Sequence, residues 1–297
     1  MSIKTSFSIK DLENLSGVKA HTIRIWEKRY ALLEPERTET NIRTYDINNL
    51  RKILNITILL EHGYRISRIA MLDEKELFMK VREYSLDQED SAWSLNAFKL
   101  SMLKFDQQLF ENTYNQLSTQ YSFREIFTNA FLRLLDEIGT LWMCKTITPA
   151  HEHFISTLIL QKLYINIERV QHLNPEGGKV FVLFLPLNEI HEIGLLYIHF
   201  ELLIKGYRSV YLGQSVPVDN LKELKAIFPE IVYVSYFTIE PHTDQVYEYL
   251  EEVNNVILEE RKEHLHILGR NTHDLDTNKL PGSVTVHGNI NELLDTI

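Results

Sequence analysis

From Lys179 onward the chain alternates short apolar runs with amphipathic stretches, and that order leaves few folds open. KVFVLFL, RSVYLG, IVYVSYF, HLHILG and VTVHG are short and rich in β-branched and aromatic residues, as buried strands are. Helical patterns lie between them, over 192–205, near 218–227 and on to about Arg261. A strand–helix series of this kind predicts a Rossmann-like, doubly wound parallel sheet over 175–297, with ligands at the carboxyl ends of its strands. The series opens after the turn-forming run Asn174-Pro175-Glu176-Gly177-Gly178.

Before that break the period is helical. Phe123, Ile126, Phe127, Ala130, Phe131, Leu134, Leu135 and Ile138 recur at three and four, so 91–174 reads as a four-helix-type bundle. The charged stretch 76–90 reads as a connecting helix and linker, and 1–75 as a small helical domain. No apolar run approaches the roughly 18 residues needed to span a bilayer, and MSIKTSFSIKDLENL lacks an apolar leader core, so a cytoplasmic protein is expected. Cys144 is the one cysteine; it excludes an internal disulfide or thiolate zinc cluster and is expected to pack as a small apolar residue.

Charge divides the chain. Residues 1–72 carry 12 Lys and Arg against 8 Asp and Glu, a net +4, and the remainder 19 against 33, a net −14. The N-terminal quarter can face phosphates while the rest repels them. Within it, Ser8 can cap a helix with Ile9, Leu12 and Leu15 inward, Ser16-Gly17-Val18 makes a tight turn, and a second helix starts near Lys19 to His21. Ile23, Trp26 and Tyr30 share one face of that helix, which leaves Arg24, Lys28 and Arg29 on the other, available to a major groove. The same pattern suits an ordinary small helical domain with a solvated basic face.

The following residues narrow the choice. Arg29, Tyr30, Leu33, Pro35, Arg37, Asn41, Arg43 and Tyr45, followed by Asp46, Leu50 and the run His62 to Ile69, resemble the winged helix-turn-helix of the MerR family over nearly all of residues 6–72. The resemblance implies sequence-specific binding of duplex DNA, by dimers or larger assemblies. Lys19, His21, Arg24, Lys28, Arg29 and Tyr30 would lie on the reading helix, and Arg37, Asn41, Arg43 and Tyr45 in the wing, with Arg43 and Tyr45 reaching flanking phosphates.

In the α/β segment, Glu189-Ile190-His191-Glu192-Ile193-Gly194 follows the first strand, so an imidazole stands at a strand's carboxyl end with a carboxylate two residues before it. Glu189 can accept from Nδ1 and leave Nε2 as the basic nitrogen, although an E-x-H loop is equally a surface ion pair. The spacing resembles the D-x-H-x-x-G signature of base-off cobalamin-binding domains, which implies that His191 is the lower cobalt ligand. In those domains S-x-L and G-G follow later strands and line a slot for the cofactor's tail; Ser235, Phe237, Gly269 and Arg270 stand there, with Phe237 and Arg270 as departures. In the helical segment Trp142 is followed by nine residues and then Glu152-His153. Alone these read as a bundle-core tryptophan and a helix N-terminal pair. The pattern resembles the W-x9-E-H lid of the CarH-like repressors, which implies that they cover the upper face of cobalamin. Light-sensing members have histidine after this tryptophan and Met143 stands here, so the usual bis-histidine photoproduct is not implied; His151, His153 or the Met143 thioether are the alternatives.

The whole reading is a non-enzymatic MerR-type regulator, a repressor, controlled by adenosyl- or methylcobalamin and open to control by light. A corrinoid methyl-transfer module and a regulator whose sensor has lost cobalamin are the alternatives.

Overall fold

The computed structural model describes residues 6–84, 91–171, 178–258 and 263–297. The expected end of the linker at 85–90, the break at 174–177 and the helix end at Arg261 lie outside the described residues. The chain divides into two compact units, Met1–Leu158 and Ile159–Ile297.

The first unit begins with helix α1, Ile9–Ser16, closed at its start by a capping box. Asp11 N donates to Ser8 Oγ at 3.1 Å and Ser8 N donates to the Asp11 carboxylate at 2.8 Å, satisfying two backbone donors at the helix start. Gly17, at φ +74°, ends α1 in the left-handed region that glycine enters without a Cβ penalty. Helix α2, Ala20–Tyr30, follows at once, and Leu12, Leu15, Ile23 and Trp26 are buried. Strands β1, Glu36–Arg37, and β2, Arg43–Thr44, pair antiparallel as a wing. A reciprocal pair of 2.8 Å backbone hydrogen bonds between Phe7 and Tyr45 ties the wing's base to the chain start. Helix α3, Ile47–Glu61, capped by Asp46, supplies Leu50, Ile53 and Leu54 to the core, and α4, Ile66–Ile69, and α5, Glu74–Tyr84, complete the head.

Helices α6, Ser91–Lys104, and α7, Gln107–Ser118, are followed by α8, Phe123–Ile126, which runs through a π turn at Phe127–Phe131 into α9, Leu132–Met143. The extra residue of the π turn lets the adjacent pairs Ile126-Phe127 and Ala130-Phe131 all be buried. Phe98, Phe110 and Phe131 form an aromatic cluster with ring centroids 5.0 to 5.9 Å apart. Helix α10 spans Pro149–Val170. Cys144, expected to pack, is exposed after the end of α9.

The second unit holds the expected parallel sheet. Its strands are β3, Lys179–Phe184; β4, Arg208–Gly213; β5, Glu230–Tyr236; β6, His264–Leu268; and β7, Val284–Val286, in the order β4-β3-β5-β6-β7. Val180, Val182, Ile231, Tyr233, Leu265 and Ile267 pack on one face with α12, Val246–Val253, which runs on through a π turn at Asn254–Leu258. Helices α11, Ile193–Ile204, and α13, Ile290–Thr296, also pack together in this unit. The stretch expected as a helix near 218–227 is a 3₁₀ helix, Val218–Ala226. Its apolar residues Val218, Leu221 and Leu224 recur strictly every third position, the 3₁₀ period. Strand order reverses at β3 and β5, and a crevice for ligands is expected at their carboxyl ends.

Candidate functional site

In the head, Lys19, His21, Arg24, Lys28 and Arg29 are exposed on and beside α2. Arg29 stands 5.3 Å from the Tyr30 ring centroid, a cation–π contact that holds the guanidinium along the outer side. Lys19 is within 3.5 Å of the Glu13 carboxylate. In the wing, exposed Arg37 donates from Nη1 to Asn41 Oδ1 at 2.6 Å, across a turn in which Asn41 takes φ +62°.

Of the two residues expected at flanking phosphates, Tyr45 is corrected. Tyr45 is 1% exposed and its hydroxyl donates to the Glu27 carboxylate, so it braces the wing instead of reaching outward. Burial, then the contact with Glu27, pushes the Tyr45 phenol up from its ordinary value. Arg43 is half-buried and donates from Nε to the same Glu27 at 3.0 Å. The sequence gives no sign of this role for Glu27, because a glutamate on a reading helix looks like a solvated charge until the wing folds over it.

In the second unit, Glu189 and His191 lie on the loop after β3, at the switch point. Glu189 is fully buried. One carboxylate oxygen accepts from Ile190 N at 2.8 Å, His191 N at 2.9 Å and His191 Nδ1 at 2.5 Å. The other accepts from Thr238, Ile239 and Glu240 N at 3.1, 2.7 and 2.9 Å, on the loop after β5. Burial raises the Glu189 carboxyl, but the imidazole and the backbone donors outweigh it and hold it at about 2. A surface ion pair does not describe this arrangement. The carboxylate locks the two loops across the switch point and fixes the tautomer in which Nε2 carries the lone pair. Leu187, Ile190 and Ile239 are each about half exposed on these loops, an apolar setting at the imidazole.

Gly194 lies where a Cβ would meet the Tyr236 ring at 2.7 Å, so the H-x-x-G glycine is required by close packing. Gly269, at φ +116°, brings its backbone against Phe237, whose carbonyl a Cβ would meet at 2.4 Å. Ser235 and Phe237, expected to line a slot, are both fully buried. Ser235 Oγ donates to Phe184 O at 2.8 Å, and Phe237 packs in the core with its ring 5.7 Å from Tyr249. Arg270 is exposed.

In the first unit Trp142 and Met143 are 46% and 59% exposed at the end of α9, which rules out the bundle-core reading of the tryptophan. Glu152 and His153 open α10, partly buried and exposed respectively. His151 is buried, its Nδ1 accepting from Thr148 N at 3.2 Å and from Thr148 Oγ1 at 2.8 Å, and its ring stacks on Phe105 at 4.8 Å, so as an alternative cobalt ligand it is corrected to a packing residue.

Sequence reasoning missed the backbone donors at 238–240, which carry no residue signature, and Tyr211, whose hydroxyl donates to Glu192 at 2.6 Å.

Two family models match separate stretches of the chain. The MerR HTH family regulatory protein family matches residues 7–76, and the B12 binding domain family matches residues 94–165. The HTH-type transcriptional repressor CarH of Myxococcus xanthus is 27% identical over 237 residues, covering 77% of this chain and 78% of the relative. The repressor CarA of the same organism is 25% identical over 233 residues, covering 77% and 75%. Among solved structures, the Methanosarcina barkeri monomethylamine corrinoid protein aligns over 70% of this chain and 98% of its own with a TM-score of 0.58; at 13% identity this is a likeness of fold alone.

Proposed function

We propose that this chain, which joins a MerR-type DNA-binding domain to a B12-binding domain and is homologous to the CarH and CarA repressors, is a transcriptional repressor whose operator affinity is set by adenosyl- or methylcobalamin. The observation that carries the reading is His191, oriented by buried Glu189 at the sheet's switch point. A single imidazole is too small a donor set for a bare ion, but it completes the coordination of a metal that brings its own ring of ligands. Among the described residues, no three His, Cys, Asp or Glu side chains gather to hold a metal ion by themselves.

In this reading His191 Nε2 would hold the cobalt, with Glu189 keeping its ring in position and raising its basicity. Leu187, Ile190 and Ile239, half-exposed on the same loops, would offer apolar contact to the cofactor, and Trp142, Met143, Glu152 and His153 would be the first unit's residues toward it. Gly194 and Gly269 allow close backbone approach near the tail, and Arg270 offers a cation to its phosphate. Bound cobalamin supplies a cleavable cobalt–carbon bond and an upper group whose bulk depends on its state. Arg24, Lys28, Arg29, Arg37 and the other exposed basic residues of the head bind operator phosphates and bases. The chain acts as a dimer or tetramer, because one head of this size buries too little surface for tight specific binding, and occupancy acts through its differential affinity for two assembly states.

The test is the visible spectrum of the full chain with adenosylcobalamin, in darkness and after illumination, beside His191→Ala, with operator binding measured on the same samples. Wild type is expected to shift to a histidine-ligated spectrum that His191→Ala lacks. Phe237 in the core favours the competing reading, a sensor without cobalamin, and an unchanged spectrum with wild-type chain would establish it.

A further inference from the structure

At the end of helix α1, Ser16 Oγ and Gly17 N satisfy Leu12 O and Glu13 O, but the helix carries no basic residue in its own last turn to offset its partial negative charge. The cation comes from the bundle. Lys99 of α6, 5% exposed, donates from Nζ to Leu15 O at 3.2 Å and to Glu137 of α9 at 2.9 Å. One residue earlier on α1, Asn14 Nδ2 donates to Thr146 Oγ1 at 2.9 Å, and Asn96 Nδ2 of α6 donates to Leu54 O of α3 at 3.2 Å. Thr146 is buried.

The position of these partners is informative. Glu137 is on the helix that ends in Trp142 and Met143, and Thr146 is on the short connection from there to Glu152 and His153. Trp142 and Met143 therefore lie in sequence between Glu137, which holds Lys99, and Thr146, which holds Asn14, and Glu152 and His153 lie on the helix that follows. The joint borders an open cleft of about 250 Å³, where Asn14, Lys99 and Glu137 stand beside Leu15, Leu95 and Leu141. The polar contacts there let go once their geometry is lost, because a hydrogen bond weakens steeply away from its preferred distance and angle. The joint leaves the reading face uncovered, since Arg24, Lys28 and Arg29 remain exposed with it made. It sets the head's direction and does not block it, and direction matters because paired heads must meet half-sites at a fixed spacing.

We propose that Lys99 and Asn14 are positioning residues that hold the DNA-reading head in register on the bundle, so that displacement of the Trp142–His153 connection turns the head out of register. This rests on the cobalamin-repressor reading above for its trigger, but the joint itself does not.

The experiment uses the full chain with spin labels on Cys144, the one cysteine and exposed, and on Ser67→Cys, an exposed position on α4. Diluted with unlabelled chains so that only distances within one chain are read, the doubly labelled chain without further changes is expected to give one narrow distance distribution. Asn14→Ala combined with Lys99→Met, which keeps an apolar stem, should broaden it, and Lys99→Arg alone should stay narrow. On unlabelled chains, the ratio of operator affinities with and without adenosylcobalamin should fall to about one in the double variant, while its cofactor spectrum and circular dichroism match wild type. A narrow distribution in the double variant overturns the joint. A broadened distribution with the wild-type affinity ratio overturns the coupling. If wild type itself shows a ratio of one, the repressor reading and its trigger fall, and the distance measurement alone decides the joint.

Discussion

Replacing Glu189 with glutamine removes one charge and keeps the shape, and the structure sets the size of the effect. The carboxyl is held at about 2 against an ordinary 4.5. At about 1.4 kcal/mol for each pH unit, the folded loops gain about 3 kcal/mol from the ionised form. A folded value below the unfolded one means that this stabilisation is complete above pH 4.5 and is lost as pH falls toward 2. Glutamine cannot reproduce it, because its NH2 group must face donors on one side, either those of Ile190 and His191 or those of Thr238, Ile239 and Glu240. The local assay is amide hydrogen exchange at 238–240 in the full chain. At pH 7, Glu189→Gln should speed exchange there on the order of 100-fold, the equivalent of about 3 kcal/mol, with little change in β6. Cobalamin affinity should fall roughly 10-fold to 100-fold, as when other partners of metal-binding imidazoles are removed. Exchange at 238–240 within a factor of three of wild type would refute the argument that this carboxylate locks the two loops.

Three further outcomes are expected. Arg24→Ala and Lys28→Ala should each lower the magnitude of the salt slope of operator binding by roughly 1, and Tyr45→Phe should leave the slope unchanged because Tyr45 is buried on Glu27. Gly269→Ala should destabilise the second unit by about 3 kcal/mol or more, seen as an earlier thermal transition, since it adds backbone strain at φ +116° to a collision with Phe237. His266 donates or accepts at 2.8 Å with His287, and burial, then the neighbouring His287, His264 and Lys179, push it down to about 4. The unfolded chain therefore binds the extra proton first, so stability should fall as pH drops from 6.5 toward 4, and a urea series across that range should show a flatter profile for His266→Phe.

Much of this protein was legible from residue order, because local physics decides it. The cap at Ser8 and the turn at Gly17 act over a few residues, so the two helices and the tight turn between them can be read locally. The parallel sheet follows from apolar runs that only a two-sided burial explains, and β3 is buried from Val180 to Phe184. The pairing of His191 with Glu189 was legible because the two are close in sequence, while the role expected of His191 came from the resemblance of Glu189-x-His191-x-x-Gly194 to a known signature. What folding alone decided are the meetings of residues distant in sequence. Glu27 captures Arg43 Nε and the Tyr45 hydroxyl from the wing, which turns Tyr45 from an expected phosphate contact into an internal brace. Glu189 gathers the backbone of 238–240, and peptide N–H groups have no signature in any sequence. Lys99 reaches Leu15 across 84 positions and Asn14 reaches Thr146 across 132, and each, read in place, is an unremarked polar residue on a helix. Periodicity says which face of an element is buried; it does not say which partner waits there, because that depends on the path of the whole chain.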